Sequence, residues 1–175
     1  MNSPIHLILG GNRSGKSLYA EQVASRSRRE VIYVATYSTE KMDPEMQKRI
    51  EAHRARRPRD WKTIENRFDF AEILCENNDK TILIDSLTLW LSYWQMQGKK
   101  EKEILSDLEK VLKLDHKKAS LIIVSDEVGM GLVPENAEAR IFRDLCGKAN
   151  QLIAQHAATI EFVIAGLPLA LKKAS

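Results

Sequence analysis

The sequence predicts an α/β fold in which a mostly parallel central sheet is flanked by helices on both faces. Three observations carry this expectation. Five short apolar runs recur: "IHLIL" (5–9), "VIYVA" (31–35), "TILID" (81–85), "SLIIVS" (120–125) and "EFVIA" (161–165). They are largely unbroken rather than alternating, as strands covered on both sides are. Helical patterns fill the gaps between them, so strand and helix alternate. Residues 10–17, "GGNRSGKS", fit G-x-x-x-x-G-K-[ST] between the first apolar run and the first helical pattern, which makes the fold P-loop NTPase-like.

The elements follow in order. After the glycine-rich turn a helix is expected over 16–28, then the strand at 31–35. A helix over 43–57 opens with Asp43 as N-cap and Pro44 in its first turn, and it stops before Pro58. "WKTIE" (61–65) is a candidate edge strand. Helices over 68–77, 86–97, 101–115 and 136–157 separate the remaining strands, with "QGKKEKE" (97–103) as a charged surface connection. No repeat or linker divides the chain, so residues 1–175 read as a single nucleotide-binding domain.

Composition excludes several classes. A balance of 27 basic to 24 acidic residues, net +3, is too mild for a nucleic-acid coat, and no nucleic-acid partner is expected. No apolar run approaches the ~20 residues of a membrane span, and the first residues lack a signal-sequence pattern, so a cytoplasmic protein is expected. Cys75 and Cys146 lack C-x-x-C spacing and read as free, reduced thiols. Positive charge is concentrated in one stretch, "QKRIEAHRARRPRDWK" (47–62).

The chemistry starts at the glycine-rich turn. Gly10, Gly11 and Gly15 let the backbone curl so that N–H groups, including those of Asn12, Arg13 and Ser14, face phosphate oxygens. The helix beginning at Lys16 adds its positive dipole end. Lys16 supplies a point charge to the β and γ phosphates, and the Ser17 hydroxyl is placed to ligate Mg2+. A second magnesium partner belongs at the end of another strand, where "TILIDS" offers Asp85. Asp85 could instead merely cap the next helix, although both jobs can coexist at that place. This much predicts Mg2+-dependent transfer from GTP and/or ATP, and no acceptor.

The second informative stretch is "RIEAHRARRP" (49–58). On a helix, residues three and four apart share a face, so His53 has Arg49 a turn before it and Arg56 and Arg57 a turn after. Cations beside an imidazole favour its neutral, nucleophilic form, and the same arginines could gather polyphosphate charge. A solvated basic face is the competing reading. His6 opens the first strand, on the wrong side of the sheet for a phosphate site. His116 and His156 each stand at a helix end without partners that suggest chemistry.

Four motifs taken together resemble one family. "GGNRSGKS", "YVAT", "DPEMQKRIEAHRARRPRDWKTIE" and "VSDEVGMGLVPENAEARIFRDLCGKANQ" look like the bifunctional adenosylcobinamide kinase / adenosylcobinamide-phosphate guanylyltransferase family, nearly end to end. The resemblance implies two reactions in cobalamin assembly or salvage. A triphosphate's γ-phosphate goes to the hydroxyl of adenosylcobinamide. GTP then donates GMP to the resulting phosphate through a guanylylated histidine, and the acceptor position corresponds to His53, with Lys16 serving both steps. It also implies that Ala35, Thr36, Tyr37, Arg54, Ala55, Arg56, Arg57, Glu65 and Asp85 contact nucleotide. Glu65 would accept from the N1–H and 2-amino group of guanine. A homo-oligomer is implied, with a trimer as the family's form.

There are departures from that pattern. Ala52 stands where many relatives have a second histidine, Asp126 where the family commonly has Asn, and Asp85 where some relatives have Glu. "EVGMGLVP" (127–134) reads either as a ligand-bordering loop or as a structural turn, and Trp90, Tyr93 and Trp94 as core or as interface. Two alternatives to the bifunctional transferase stay open at this point: a P-loop small-molecule kinase without the histidine step, and a nucleotide-gated binding module.

Overall fold

A computed structural model describes residues 5–37, 44–114 and 119–173, with only the backbone described at Pro44, Glu45, Met46 and Arg49. The expected N-cap Asp43, the side chain of Arg49 and His116 lie outside this set. The elements are β1 (Ile5–Gly10), α1 (Lys16–Ser25), β2 (Val31–Ala35), α2 (Pro44–Arg56), β3 (Lys62–Glu65), α3 (Phe70–Glu76), β4 (Thr81–Asp85), α4 (Leu87–Met96), α5 (Glu101–Lys113), β5 (Ser120–Asp126), α6 (Ala137–His156), β6 (Thr159–Ile164) and β7 (Leu167–Lys172).

The strands form a seven-stranded sheet in the order β3-β2-β4-β5-β1-β6-β7, parallel except for β7. β1 leads through α1 to β2, with β5 and β4 lying between them in the sheet, so the chain opens a crevice at the carboxyl ends of these strands. Register then sets what lines that crevice. Ala35 is level with both Glu65 and Asp85, and Gly10 is level with Asp126.

The unbroken apolar runs are explained by two cores, one on each face. Leu7, Ile32, Val34, Ile82, Ile84 and Ile123 point into a layer closed by α3, α4, α5 and α6. Their neighbours Ile8, Tyr33, Leu83, Ile122 and Val124 point the other way, against α1 and Ile50 of α2. Each strand therefore needs apolar side chains at odd and even positions alike. Trp90 belongs to the first core: it stacks on Phe70 at 4.9 Å and donates its Nε1–H to the Phe68 carbonyl at 2.7 Å. Tyr93 and Trp94 are half-buried at that core's margin, with Tyr93 stacked on Phe68 at 3.6 Å.

"WKTIE" does form an edge strand, β3, parallel to β2. The opposite edge was not foreseen. β7 runs antiparallel to β6, and all six of its residues are exposed. Its Leu-Pro-Leu-Ala-Leu-Lys composition lacks β-branched residues, and Pro168 argues against a strand except at an edge. The signal that could have found it is the turn. Ala165 (φ 51) and Gly166 (φ 79) are both left-handed, as a two-residue hairpin requires, so the expected strand end at 165 is a turn residue instead.

Candidate functional site

The glycine-rich turn connects β1 to α1 and is held from three sides. Ser14 N–H donates to the Gly11 carbonyl at 3.2 Å, closing the turn on itself. The Gly10 carbonyl accepts from Glu127 N–H at 3.0 Å, and the Ser14 carbonyl accepts from Gly166 N–H at 2.7 Å. The hairpin that sequence reasoning missed is thus part of the turn's support. The glycines divide the labour. Gly15 is left-handed (φ 92), and Arg13 also adopts φ 55. Gly10 instead needs to lack a side chain, because a Cβ there would lie 2.8 Å from the Val163 carbonyl oxygen. A Cβ at Gly11 would meet nothing within 4 Å.

Around this turn opens a cavity of about 400 Å³. Asn12, Lys16, Ser17, Ala35, Tyr37, His53, Arg57 and Asp85 line it among the expected residues, joined by Tyr33, Thr88, Asp126 and Glu127. The nearly buried Lys16 ammonium contacts the Gly11 carbonyl at 3.1 Å and pairs with Asp126 at 2.5 Å. Asp85 spans the centre. Its Oδ1 accepts from the Ser17 hydroxyl at 3.3 Å, and its Oδ2 accepts from the Tyr33 hydroxyl at 2.6 Å. Burial, and next the Asp85 charge, push the Tyr33 phenol well above its ordinary value, so it stays a donor.

His53 is delivered by α2 rather than by a strand end. Its Nδ1 lies 3.9 Å from Asp85 Oδ2, so a carboxylate stands beside the ring. The arginines around it are committed to distinct partners. Arg54 forms a two-pronged pair with Glu65, at 3.0 and 2.6 Å, and also donates to Tyr37 at 2.9 Å. Arg56 reaches Glu21 of α1 at 3.3 Å. Arg57 lies over the Tyr33 ring, 3.5 Å from its centroid, and its buried Nε–H has no hydrogen-bond partner among the described residues. Helical spacing correctly brings these residues to one end of α2. The side chains of Arg54 and Arg56 nevertheless fan outward to acids on β3 and α1, and that of Arg57 to the Tyr33 ring on β2, which a spacing argument cannot see.

Other expected contacts stand outside the cavity lining. Thr36 is buried, and its hydroxyl bonds both the carbonyl (2.6 Å) and the N–H (2.8 Å) of Ser86, locking β2 to β4. Ala55 is exposed on α2. Both Glu65 oxygens are engaged, one by Tyr37 and Arg54 and the other by Arg54. A guanine edge would have to displace one of these. In "EVGMGLVP", Glu127 and Val128 line the cavity while Met130, Leu132 and Val133 point to solvent. Tyr33 was missed altogether, because a tyrosine inside an apolar run reads as core until its hydroxyl is found on Asp85.

This arrangement can hold polyphosphate at the turn and present an imidazole beside it. Comparison with known proteins places it. A cobinamide kinase / cobinamide phosphate guanyltransferase model matches residues 6–171. The bifunctional adenosylcobalamin biosynthesis protein CobP of Pseudomonas aeruginosa is 38% identical over 95% of this chain and 96% of its own. The bifunctional adenosylcobalamin biosynthesis protein CobU of Escherichia coli is 34% identical, over 95% and 98% respectively. In fold alone, a type III secretion ATPase from pathogenic bacteria is similar, with a TM-score of 0.56 and 13% identity over 97% of this chain and 57% of that one. With a turn, a strand-end acid and an α2 histidine lining one cavity, and with relatives that span nearly its whole length, the chain belongs to the cobinamide kinase / cobinamide phosphate guanyltransferase family.

Proposed function

We propose that this protein phosphorylates adenosylcobinamide from GTP or ATP and then transfers GMP from GTP to the product phosphate, giving adenosyl-GDP-cobinamide and pyrophosphate. The observation that carries this reading is that Lys16 and His53 line one cavity, with Asp85 standing between Ser17 of the turn and His53. A phosphate-holding cation and a nucleophile in one cavity let a single triphosphate site serve both reactions.

In the first reaction the turn's N–H groups and Lys16 gather the triphosphate, and Lys16 leaves Asp126 for the phosphates. The substrate hydroxyl then meets the γ-phosphorus in line, with positioning and charge stabilisation supplying most of the acceleration. In the second, the imidazole of His53 meets the α-phosphorus. The Nε–H of Arg57, without a partner among the described residues, offers a further donor for phosphate charge. Ser17 Oγ at the turn and Asp85 Oδ1 at the end of β4, 3.3 Å apart, would hold Mg2+, a hard cation that takes oxygen donors. When bound, the cation neutralises charge on the transferred phosphate.

The reading extends to a single 175-residue domain working in the cytoplasm as a homo-oligomer. Two features support this. Among the described residues no helix is long and apolar enough to cross a membrane, and the free edge strand β7 exposes Leu167, Leu169 and Leu171.

The test separates the two halves. His53→Ala should keep kinase activity and lose guanylyl transfer, whereas Lys16→Ala should cripple both. Mass spectrometry of the denatured protein after GTP and Mg2+ should show an added GMP that vanishes in mild acid, as a phosphoramidate does. Equal loss of both activities in His53→Ala rejects the division of labour, and absence of the adduct leaves a plain kinase.

A further inference from the structure

Resting on that reading, we infer that Asp85 positions His53 so that Nε2, not Nδ1, takes the guanylate, and that the Tyr33 hydroxyl holds Asp85 in place for this task. Nothing in the motif pattern specifies a ring nitrogen. The geometry does. Nδ1 is the nitrogen on the Asp85 side, 3.9 Å from Oδ2, so Nε2 lies across the ring from that carboxylate. A separation of 3.9 Å is just beyond hydrogen-bond reach, and a small closure of α2 brings the two into a hydrogen bond, as catalytic contacts tighten when substrate binds.

Asp85 is not free to follow either partner. Tyr33 OH holds Oδ2 at 2.6 Å and Ser17 Oγ holds Oδ1 at 3.3 Å. Tyr33 is itself fixed, fully buried between strands and covered by the Arg57 guanidinium at 3.5 Å. The carboxylate is therefore divided: one oxygen faces the phosphate turn, the other faces His53. A single side chain serves the phosphoryl and the guanylyl step from its two edges.

The covalent step balances without a further reagent. The Nε2 lone pair attacks the α-phosphorus of GTP. The bond from that phosphorus to the bridging oxygen breaks, and its electron pair leaves with pyrophosphate. The proton on Nδ1 stays there, held by Asp85, so the adduct is a guanylyl-imidazolium whose positive charge faces a carboxylate. In the return step a phosphate oxygen of adenosylcobinamide phosphate attacks the α-phosphorus. The N–P pair goes back to Nε2, restoring the neutral ring.

The test is regiochemical. The wild-type protein is incubated with GTP and Mg2+, unfolded and digested at alkaline pH, and the linkage in the His53 peptide is assigned by 31P and 15N NMR. Nε2 linkage is expected. Nδ1 linkage overturns the inference and leaves the guanylyltransferase reading standing, whereas no adduct at all sinks that reading and the inference with it. Tyr33→Phe keeps the ring under Arg57 and removes only the hydroxyl. Its rate of guanylyl-enzyme formation should fall roughly tenfold relative to the wild type, with an Nδ1-linked fraction appearing. An unchanged rate of guanylyl-enzyme formation, with Nε2 linkage intact, removes Tyr33 from the role.

Discussion

The Lys16 ammonium is 2.5 Å from the Asp126 carboxylate, so the cation that a triphosphate needs is held by the protein's own acid. Nucleotide entry must break this pair and bring phosphate charge close to Asp126. Both effects weaken binding. Asp126→Asn keeps the shape and a hydrogen-bonding oxygen while removing the charge, so the Kd for magnesium-nucleotide measured by calorimetry should fall roughly tenfold. Weaker binding in the variant would instead put Asp126 among the groups that hold the nucleotide complex.

The glycines of the turn make a paired prediction. A Cβ at Gly10 would sit 2.5 Å from Ser14 Oγ and 2.8 Å from the Val163 carbonyl oxygen, and the latter is backbone in the neighbouring strand. Gly10→Ala should therefore cost about 2–4 kcal/mol in denaturant unfolding. Gly11→Ala meets open space and should change stability by less than about 1 kcal/mol. Equal costs would show that backbone freedom, rather than close approach, decides both positions.

Much of this was legible in advance, for definite reasons. Strands covered on both faces leave unbroken apolar runs, so five strands and their order along the chain could be read. The phosphate turn and Asp85 were legible because both chemistry and register fix them at strand ends. What escaped was tertiary. Tyr33 alternates with Ile32 and Val34 and looks like core, yet its hydroxyl anchors Asp85. The destinations of Arg54 and Arg56 depend on acids of β3 and α1, and that of Arg57 on the Tyr33 ring of β2, beyond the reach of helical spacing. β7 packs few of its own side chains, so no buried face marks it in the sequence.

The two thiols should behave differently. Cys146 is buried in α6, and burial, followed by the charges of Asp126 and Glu127, pushes its thiol up to about 12. Cys75 is exposed on α3. Iodoacetamide on the native protein at pH 8 should therefore label Cys75 alone, read by peptide mass spectrometry, with Cys146 labelled only after unfolding. Native labelling of Cys146 would mean that α6 opens readily.

The clamp between Arg54 and Glu65 gives a prediction with a sign in pH. Burial acts to raise the Glu65 carboxyl, but hydrogen bonds from Tyr37 and Arg54 outweigh it and hold the group below its ordinary value. A carboxyl with a lower pKa folded than unfolded adds stability that is complete above the unfolded value, near ~4.3, and is lost as pH falls through the lower folded one. Glu65→Gln should cost about 1 kcal/mol at pH 7, a modest figure because Arg54 is half exposed and screened by solvent. Urea unfolding of both proteins across pH should show that gap closing as the medium is acidified below about 4. The clamp also ties the helix carrying His53 to the sheet edge, so guanylyl-enzyme formation should slow in the variant at neutral pH. A stability gap that persists undiminished in acid would mean that Glu65 acts through packing and not through its charge.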